Sequence, residues 1–422
     1  MSNLPGDLSQ QAVKGAQFVQ SAAKLGAQKF RDRIHESRLS ADYYPQATDA
    51  FVAAAYFGVG MDSVYQLEQW VWPFEQLDAE LKRQGYGEHP FGIIVRSPIV
   101  AEHMRTVTNL PVRFSRLTLG LDAFMTSTHM RAVFYVNQAT PNFQALRYPD
   151  PAHVHLSHGE SEKISMISNQ LKAYDYVFTA GEAARDRIAR TLYGMSDEHM
   201  LDVGRPQLDR PRSIPDVWGD FVSAESNGAV VFYAPTWEGD SHSMAYGAIA
   251  DNGESIVTGL LDAGYRVIFR PHPRIGVMRS DFAKAVEDVK DIIDSDPRAF
   301  MDETADVSWQ FDVADVAVAE MSSVAYDWLS SKKPLVMIEP PSSGAEVLPG
   351  GLFDRCPVLR ADDNLNIDEL VAQAESDEVA YTGLSQHYLG DTSPGAQIER
   401  FIDAGKFVIE RRNEERQQKT DV

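Results

Sequence analysis

Short apolar runs alternate with longer stretches of helical periodicity from about residue 49 onward. This alternation is typical of β-α-β units, in which buried parallel strands are joined by helices. In the first half of the chain, the pattern predicts strands at Ala50–Phe57, Gly92–Val95, Val112–Ser115, Ala132–Val136, His153–Ser157 and Tyr176–Ala180. The clearest helix among them is predicted over Asp62–Arg83.

The same alternation restarts after a break at Arg205–Trp218, where three prolines disfavour regular structure. The predicted strands of the second half are Ala229–Ala234, Arg266–Arg270, Ala314–Ala319 and Leu335–Ile338. The predicted helices are Ser255–Ala263, Ser280–Ile292, Ser323–Ser330 and Gln397–Arg411. We expect the charged tail after the last helix to fray.

A chain of 422 residues exceeds what one hydrophobic core usually supports, so we expect two domains. The predicted parts are an N-terminal helical segment (1–48), two Rossmann-like domains (49–205 and 219–395), and a C-terminal helix with its tail (396–422). The simplest architecture is an α/β fold of the GT-B type, in which two doubly wound sheets face each other across a cleft. Such a cleft would hold the active site.

Composition narrows the functional classes. A net charge of −22 disfavours a nucleic-acid partner, whose phosphates require a basic face. The single cysteine, Cys356, excludes an intramolecular disulfide and a metal cage built of thiolates. No apolar run is long enough to span a bilayer, and Met1–Gln20 lacks the apolar core of a signal peptide, so we expect a cytoplasmic protein.

Residues 1–35 depart from this acidic average. They carry the basic residues Lys14, Lys24, Lys29, Arg31 and Arg33 against the acidic residues Asp7 and Asp32. Apolar residues recur in the same stretch at roughly helical spacing. One interpretation is an amphipathic helix that lies on the inner face of the cell membrane. The other is a surface helix packed on its own domain, and the sequence leaves both open.

Four polar motifs each come immediately after a predicted strand. They are Ser157-His158-Gly159 with Glu160 and Lys163 behind it, Pro235-Thr236-Trp237, Arg270-Pro271-His272-Pro273, and Glu320-Met321-Ser322-Ser323. Ligands of open α/β sheets bind outside the carboxyl ends of the strands. Each motif alone is a weak signal, but together they predict one binding crevice.

The prolines of Arg270–Pro273 restrict the backbone as it leaves its strand. They would hold Arg270 and His272 near one point, where a guanidinium and an imidazole can bind phosphate oxygens. The alternative is a rigid turn with an exposed Arg270 and with His272 as a hydrogen-bonded spacer.

Ser322 and Ser323 follow a strand and begin a helix, whose free N–H groups and dipole favour an anion. Asp327 lies four residues beyond Ser323 on the same helix face, and its carboxylate suits a pair of hydroxyl groups rather than a phosphate. The alternative is ordinary N-capping by serine with an exposed Asp327.

His158 precedes Gly159, which permits a tight turn and the close approach of a substrate. Histidine is the usual general base near neutral pH, which makes His158 a candidate for that role. The alternative is a structural histidine. His155 and His158 show no spacing to nearby carboxylates that indicates a metal site.

Taken together, the motifs resemble those of the CDP-glycerol glycerophosphotransferases of teichoic-acid and capsule synthesis. The resemblance extends over about residues 150–340, with the order and spacing of the motifs kept. It is carried by His158-Gly159 followed by Lys163, Tyr233–Trp237, Pro271–Pro273 and Ser322–Asp327. Two positions depart from the family pattern. Glu320-Met321 replaces a common Asp-Tyr before the serines, and Ser157 replaces a common aromatic residue before His-Gly.

The resemblance implies a GT-B fold and transfer of glycerol phosphate, or a related polyol phosphate, from a CDP-linked donor to an acceptor hydroxyl. It makes residues 49–205 the acceptor side and 219–395 the donor-nucleotide domain. It assigns His158 as the catalytic base, and it places Arg270 and His272 at the pyrophosphate of the donor. The remaining donor-binding residues that it implies are Thr236, Ser322, Ser323 and Asp327.

In this reaction the acceptor hydroxyl attacks the β-phosphorus and CMP leaves. A base such as His158 contributes about 10² to 10⁴-fold in rate, and the basic side chains stabilise charge on the phosphates.

The residues demand no cofactor or metal, and Mg²⁺ is left open. The expected partners are the CDP-linked donor and a lipid-linked or polymer acceptor. The alternatives are a GT-B glycosyltransferase or epimerase that uses a sugar nucleotide, and a non-catalytic nucleotide-binding protein of the same fold.

Overall fold

The computed structural model describes residues 31–222, 228–304, 307–360, 367–376 and 381–420. Most of the amphipathic segment 1–35 therefore lies outside the described residues. The chain divides into two compact units, a first unit of Met1–Val154 with Phe407–Val422 and a second unit of His155–Lys406. The domain limits drawn from the sequence, 49–205 and 219–395, stay a prediction.

The first of two β-sheets has seven strands within the described residues, in the order β3-β2-β1-β4-β5-β6-β7. The strands are β1 Ala53–Phe57, β2 Phe91–Val95, β3 Val112–Phe114, β4 Ala132–Tyr135, β5 Ala152–His155, β6 Tyr176–Thr179 and β7 Met200–Asp202. All five residues of β1 are buried, and β1 pairs in parallel with both β2 and β4. Its uninterrupted apolar run matches this central position, because such a strand is covered on both faces.

The second sheet has six described strands, in the order β10-β9-β8-β11-β12-β13. The strands are β8 Val230–Ala234, β9 Arg266–Phe269, β10 Ala299–Met301, β11 Val316–Ala319, β12 Leu335–Ile338 and β13 Val358–Leu359. Each pair is parallel. The chain order reverses between β8 and β11, which makes this pair the topological switch point of the sheet.

Helices connect these strands. The α-helices of the described residues after residue 60 are α1 Tyr65–Glu68, α2 Val71–Arg83, α3 Pro98–Val107, α4 Thr118–Met125, α5 Phe143–Leu146, α6 Glu182–Thr191, α7 Asp216–Val222, α8 Ile249–Asp262, α9 Ser280–Ser295, α10 Gln310–Val313, α11 Ser323–Trp328, α12 Ile367–Ser376, α13 Tyr381–Leu389 and α14 Ala396–Thr420. Among the described helices, none is both long enough and apolar enough to cross a membrane.

The two faces of the second sheet are covered by separate hydrophobic clusters of the second unit. Along β8, Val230, Phe232 and Ala234 join one cluster. Val231 and Tyr233 join the other. Successive side chains of a strand point to opposite faces, so an apolar run without alternation is what a doubly covered strand requires.

The predicted α/β class with parallel sheets is confirmed, and each strand predicted from the sequence overlaps an observed strand. The strands missed are β7, β10 and β13, which have two or three residues each and lie at sheet edges. A run of two or three residues has too few positions to show the periodicity of a strand. These strands were therefore missed because they are short, and the predicted fold class is not affected.

Four predicted elements are corrected by the structure. The strand over His153–Ser157 ends at His155, because Ser157 has a φ of 63°. The helix over Asp62–Arg83 is broken before Val71. The break at Arg205–Trp218 includes the start of α7, which follows Pro215. The expected frayed tail is helical through Thr420, where α14 ends.

Gly92→Ala should destabilise the first unit. A Cβ at Gly92, the second residue of β2, would lie 2.7 Å from a ring carbon of Phe51. Such overpacking costs about 1 to 3 kcal/mol, so thermal unfolding should begin at a lower temperature. The matched control is Gly219→Ala in α7, where no described atom lies within 4 Å of the new Cβ. This control should hold or raise stability by up to about 1 kcal/mol. Equal midpoints for the two variants would contradict the packing at Gly92.

Candidate active site

Three of the four motifs lie side by side at the carboxyl ends of neighbouring strands. Pro235-Thr236-Trp237 follows β8, Arg270–Pro273 follows β9, and Glu320–Ser323 follows β11. Strands β9 and β11 flank β8 in the sheet, so the motifs meet at the switch point between β8 and β11. This is where the crossover helices diverge and leave room for a ligand.

The fourth motif reaches the same place through a sharp turn after β5. Ser157 adopts the left-handed conformation, which is rare for a residue with a side chain, and its Oγ donates to the carbonyl of Gly159 at 2.9 Å. A Cβ on Gly159 would stand 2.8 Å from the Cβ of Ser323. Only glycine permits this approach, and it brings the His158 loop against the start of α11.

Two buried carboxylates anchor the loop that carries His158 and Lys163. Glu160 pairs with Arg187 of α6. Glu162 accepts from the hydroxyls of Tyr326 at 3.1 Å and Tyr388 at 2.5 Å, and from a backbone N–H at 3.1 Å. Burial of these carboxylates is tolerated because each of them has hydrogen-bond donors. The sequence motif gave no indication of these anchors, since the partners come from distant parts of the chain.

His158 is half-buried and lies among positive charges. Burial, together with the charges of Arg205 and Lys163, lowers the pKa of His158 to about 4. Burial lowers the pKa of Lys163 to about 8, although the nearby Glu320 acts in the opposite direction. The Lys163 ammonium lies 5.0 Å from the ring centre of Tyr246, a cation–π contact. The imidazole of His158 is therefore neutral at neutral pH and can accept a proton.

His272 is held as a hydrogen-bond donor. Its Nδ1 accepts the backbone N–H of Arg274 at 3.1 Å, so in the neutral ring the proton resides on Nε2. Burial and the charges of Lys163 and Arg274 lower the pKa of His272 to about 4. The His272 ring stacks beside the ring of Trp237. The guanidinium of Arg274 lies 3.9 Å from the centre of the same Trp237 ring. The contact of His272 Nδ1 with the backbone of Arg274 is the one expected of a histidine that supports a turn. The other ring nitrogen, Nε2, is left for a ligand.

Arg270 is not the exposed side chain of a simple turn. Its Nη1 donates to Asp302 at 2.7 Å and to Thr304 at 3.2 Å, and Asp302 is itself buried. This carboxylate follows β10, a strand too short to detect in the sequence. It fixes the position of the guanidinium, and the assignment of Arg270 to a pyrophosphate stays a prediction.

Ser322 and Asp327 differ from their expected local roles. Ser322 occupies the N-cap position of α11, but its Oγ makes no capping bond. The Oγ is buried and has no hydrogen-bond partner among the described residues. Asp327 is buried rather than exposed, and its carboxylate accepts from Arg205 Nε at 2.8 Å and Nη2 at 3.3 Å. The structure therefore gives Asp327 a protein partner and leaves the Ser322 hydroxyl available for a ligand.

Two further carboxylates organise the site and were not assigned from the sequence. Glu320 is fully buried and accepts the backbone N–H groups of Thr236 at 2.7 Å and Ala248 at 2.9 Å. Glu238 accepts the N–H groups of Gly276, Met278 and Arg279, at 3.0, 2.7 and 3.1 Å, and so shapes the loop after His272. Glu320 belongs to a motif and Glu238 directly follows one, but the partners of both could not be identified without the fold.

The described residues contain no group of three or more His, Cys, Asp or Glu side chains that could hold a metal ion. The chemistry that the described site supports is the binding of an anion by histidine, lysine, arginine and serine beside a neutral imidazole.

Two parallel sheets with a strand-end site of this kind define a GT-B-type α/β enzyme. The wall teichoic acid polymerase TagF is similar in fold, with 13% identity and a TM-score of 0.51 over 96% of this chain and 99% of that chain. A glycosyltransferase from Rickettsia africae is 9% identical with a TM-score of 0.52, over 86% of this chain and 99% of that chain. S. aureus MnaA with UDP is 12% identical with a TM-score of 0.55, over 85% and 96% of the two chains.

Residues 144–342 match the family model described as CDP-glycerol:poly(glycerophosphate) glycerophosphotransferase. This match confirms the resemblance that the four motifs carry over these residues. No curated protein matches the chain significantly.

The histidines of the site should make stability depend on pH. Burial and nearby cations hold the pKa of His158 and His272 at about 4, below the 6.5 of an exposed ring. The unfolded chain therefore binds more protons below pH 6.5, so the free energy of unfolding should decrease as the pH falls from about 6.5 towards about 4. Chemical denaturation across this range measures the slope.

Replacing His158 or His272 with Gln should flatten that slope. The matched control is His129→Gln at an exposed ring, which should keep the wild-type slope. A wild-type slope in both site variants would contradict the lowered pKa values.

Breaking the buried pair of Arg205 and Asp327 should be costly. Asp327→Asn would leave the Arg205 guanidinium buried without its carboxylate, a loss of about 3 to 5 kcal/mol. The double variant Arg205→Met with Asp327→Leu removes both charges and should recover much of the loss. Denaturant unfolding of the single and double variants measures the coupling. Additive losses would show that the two side chains do not depend on each other.

Proposed function

We propose that this protein transfers glycerol phosphate from CDP-glycerol to an acceptor hydroxyl in the synthesis of a cell-surface polymer. One observation carries the proposal. The region matched by the glycerophosphotransferase family, 144–342, contains all four motifs, and these meet within the second unit at the β8–β11 switch point. A TagF variant soaked with CDPG, 13% identical with a TM-score of 0.52, is similar to this chain in fold.

In the proposed reaction the acceptor oxygen forms a bond to the β-phosphorus of the donor. The bond from that phosphorus to the bridging oxygen breaks, and CMP leaves with the oxygen. The proton of the acceptor hydroxyl passes to the neutral imidazole of His158. Burial, and after it the charges of Arg205 and Lys163, lower the pKa of His158, so an anionic donor that offsets these two charges raises the basicity of the imidazole.

The donor phosphates are bound by groups that the fold positions beforehand. His272 offers its Nε2–H, Arg270 is oriented by Asp302, and Ser322 offers a buried hydroxyl. Such donors stabilise the charge that develops on the departing CMP without rearranging. Ser323, Thr236 and Asp327 complete the proposed donor site, Asp327 through its pair with Arg205.

The proposed acceptor is a lipid-linked or polymer hydroxyl, and the polymer is a teichoic acid or a capsule. This acceptor places the enzyme in the cytoplasm at the inner membrane face, where peripheral contact through residues 1–35 remains part of the proposal. Mg²⁺ is an optional partner of the donor phosphates. Deletion of 1–35 that leaves binding to anionic liposomes unchanged would remove the membrane contact from this proposal.

His158→Ala should bind CDP-glycerol and lose turnover. Loss of a general base lowers the rate by about 10² to 10⁴-fold, while the donor contacts remain. CMP release and calorimetric binding of CDP-glycerol measure the two effects, and His129→Ala at an exposed ring is the matched control. Full CMP release by the His158 variant would contradict the base assignment.

A donor screen tests the reaction class in the same assay. CDP-glycerol and CDP-ribitol should yield CMP, and UDP-N-acetylglucosamine should yield no UDP. UDP release would instead indicate a glycosyltransferase or epimerase. Nucleotide binding without turnover on any acceptor would indicate a non-catalytic protein of this fold.

A further inference from the structure

We propose that Arg274 is a further donor-binding residue, whose guanidinium lies over the ring of Trp237 and binds phosphate oxygens beside His272. This proposal rests on the proposed function, since it assigns Arg274 to the same donor. Arg274 directly follows the Arg270–Pro273 motif, and neither that motif nor the family resemblance gave it a role. The proposal follows from the contacts of Arg274, of its loop and of the other arginines near the site.

Trp237 brings the side chains of His272 and Arg274 together. The rings of Trp237 and His272 stack with their centres 6.4 Å apart, and the guanidinium carbon of Arg274 lies 3.9 Å from the centre of the same indole ring. The backbone N–H of Arg274 also donates to His272 Nδ1 at 3.1 Å. The charge of Arg274 acts on this imidazole, because it contributes, after burial and the charge of Lys163, to the lowered pKa of His272.

The loop that carries Arg274 is fixed through its backbone. Glu238 accepts the N–H groups of Gly276, Met278 and Arg279, at 3.0, 2.7 and 3.1 Å. Both oxygens of this buried carboxylate are therefore bound to backbone N–H groups. Glu238 thus holds the loop in place rather than pairing with the guanidinium of Arg274.

Two other guanidinium groups near the site already have carboxylate partners. Asp302 accepts from Arg270 at 2.7 Å, and Asp327 accepts from Arg205 at 2.8 Å. Arg274 is half-buried, and within the described ranges its guanidinium makes no hydrogen bond or ion pair with the protein. Its N–H groups therefore remain for a ligand. Phosphate suits them, because a guanidinium can bind two oxygens at once.

Trp237 supports the guanidinium without using its N–H groups. A cation over the face of an indole ring is attracted by the ring itself, and arginine also stacks through its planar shape. Lysine has the same charge but neither the planar shape nor the paired N–H groups. The role of Arg274 therefore depends on arginine and not on positive charge alone.

Arg274→Gln should weaken the binding of CDP-glycerol about 10- to 100-fold, the range expected for a hydrogen bond between charged groups. Titration calorimetry measures Kd for CDP-glycerol and for inorganic pyrophosphate, and both should rise. Because the side chain is half-buried and unpaired in the described structure, the thermal midpoint should stay near that of wild type. Arg274→Lys keeps the charge and should recover only a small part of the affinity. Full recovery by lysine would overturn the proposed contact.

The matched control is Arg279→Gln in the same loop. The guanidinium of Arg279 also lies over an aromatic ring, 4.8 Å from the centre of Phe282, but Asp281 accepts from its Nε at 3.1 Å. This change removes the same charge from an exposed position, where salt screens it, so both Kd values should stay within about twofold of wild type. An equal loss of affinity in the two variants would show a general effect of loop charge and would overturn the role of Arg274.

Pyrophosphate separates this proposal from the proposed function, because its binding requires neither an acceptor nor turnover. Weaker pyrophosphate binding by Arg274→Gln supports the phosphate contact even if the wild type releases no CMP, a result that overturns the proposed function alone. Equal Kd values of the wild type and Arg274→Gln for pyrophosphate overturn the assignment of Arg274. Absence of pyrophosphate binding by the wild type overturns it as well.

Discussion

Charge that is withdrawn from water must be balanced nearby, and this requirement shapes the second unit more than any other. The carboxyl ends of β8, β9 and β11 gather histidines, a lysine and arginines into one place. Without nearby negative charge, so many basic groups would repel one another and would not stay together at the ends of the strands. The fold meets this requirement in part by placing a carboxylate against three guanidinium groups, those of Arg270, Arg205 and Arg187.

These carboxylates also fix the geometry of the site. Asp302 orients Arg270, Asp327 orients Arg205, and Glu160 orients Arg187. Glu320 and Glu238 instead bind backbone N–H groups and so set the loops that carry Thr236 and follow His272. For the proposed function, a site held in this way would bind the anionic donor with little rearrangement, because its hydrogen-bond donors are already oriented. The contacts that balance the buried charges are thus the same contacts that prepare the site for a ligand.

The sequence was sufficient for the α/β class, the central strands and the resemblance to a family over residues 144–342, because each depends on local patterns. Apolar runs such as that of β8 reveal a strand covered on both faces, and motif order survives where overall identity is low. The contacts of the site could not be predicted, because they join residues far apart in the chain. Asp327 illustrates this, since its spacing from Ser323 predicted the helix face but not its partner Arg205, 122 residues away. Likewise, nothing in the sequence indicates that Ser157 adopts a left-handed backbone conformation.

The proposed base, His158, has a pKa of about 4, which burial and the charges of Arg205 and Lys163 set together. In the proposed reaction the imidazole is therefore neutral before the donor binds, and no proton has to leave before catalysis. The pyrophosphate of a bound donor would bring negative charge to the two cations and weaken their effect on the imidazole. Donor binding would thus offset the part of the lowered pKa that comes from Arg205 and Lys163, while the larger part that comes from burial would stay.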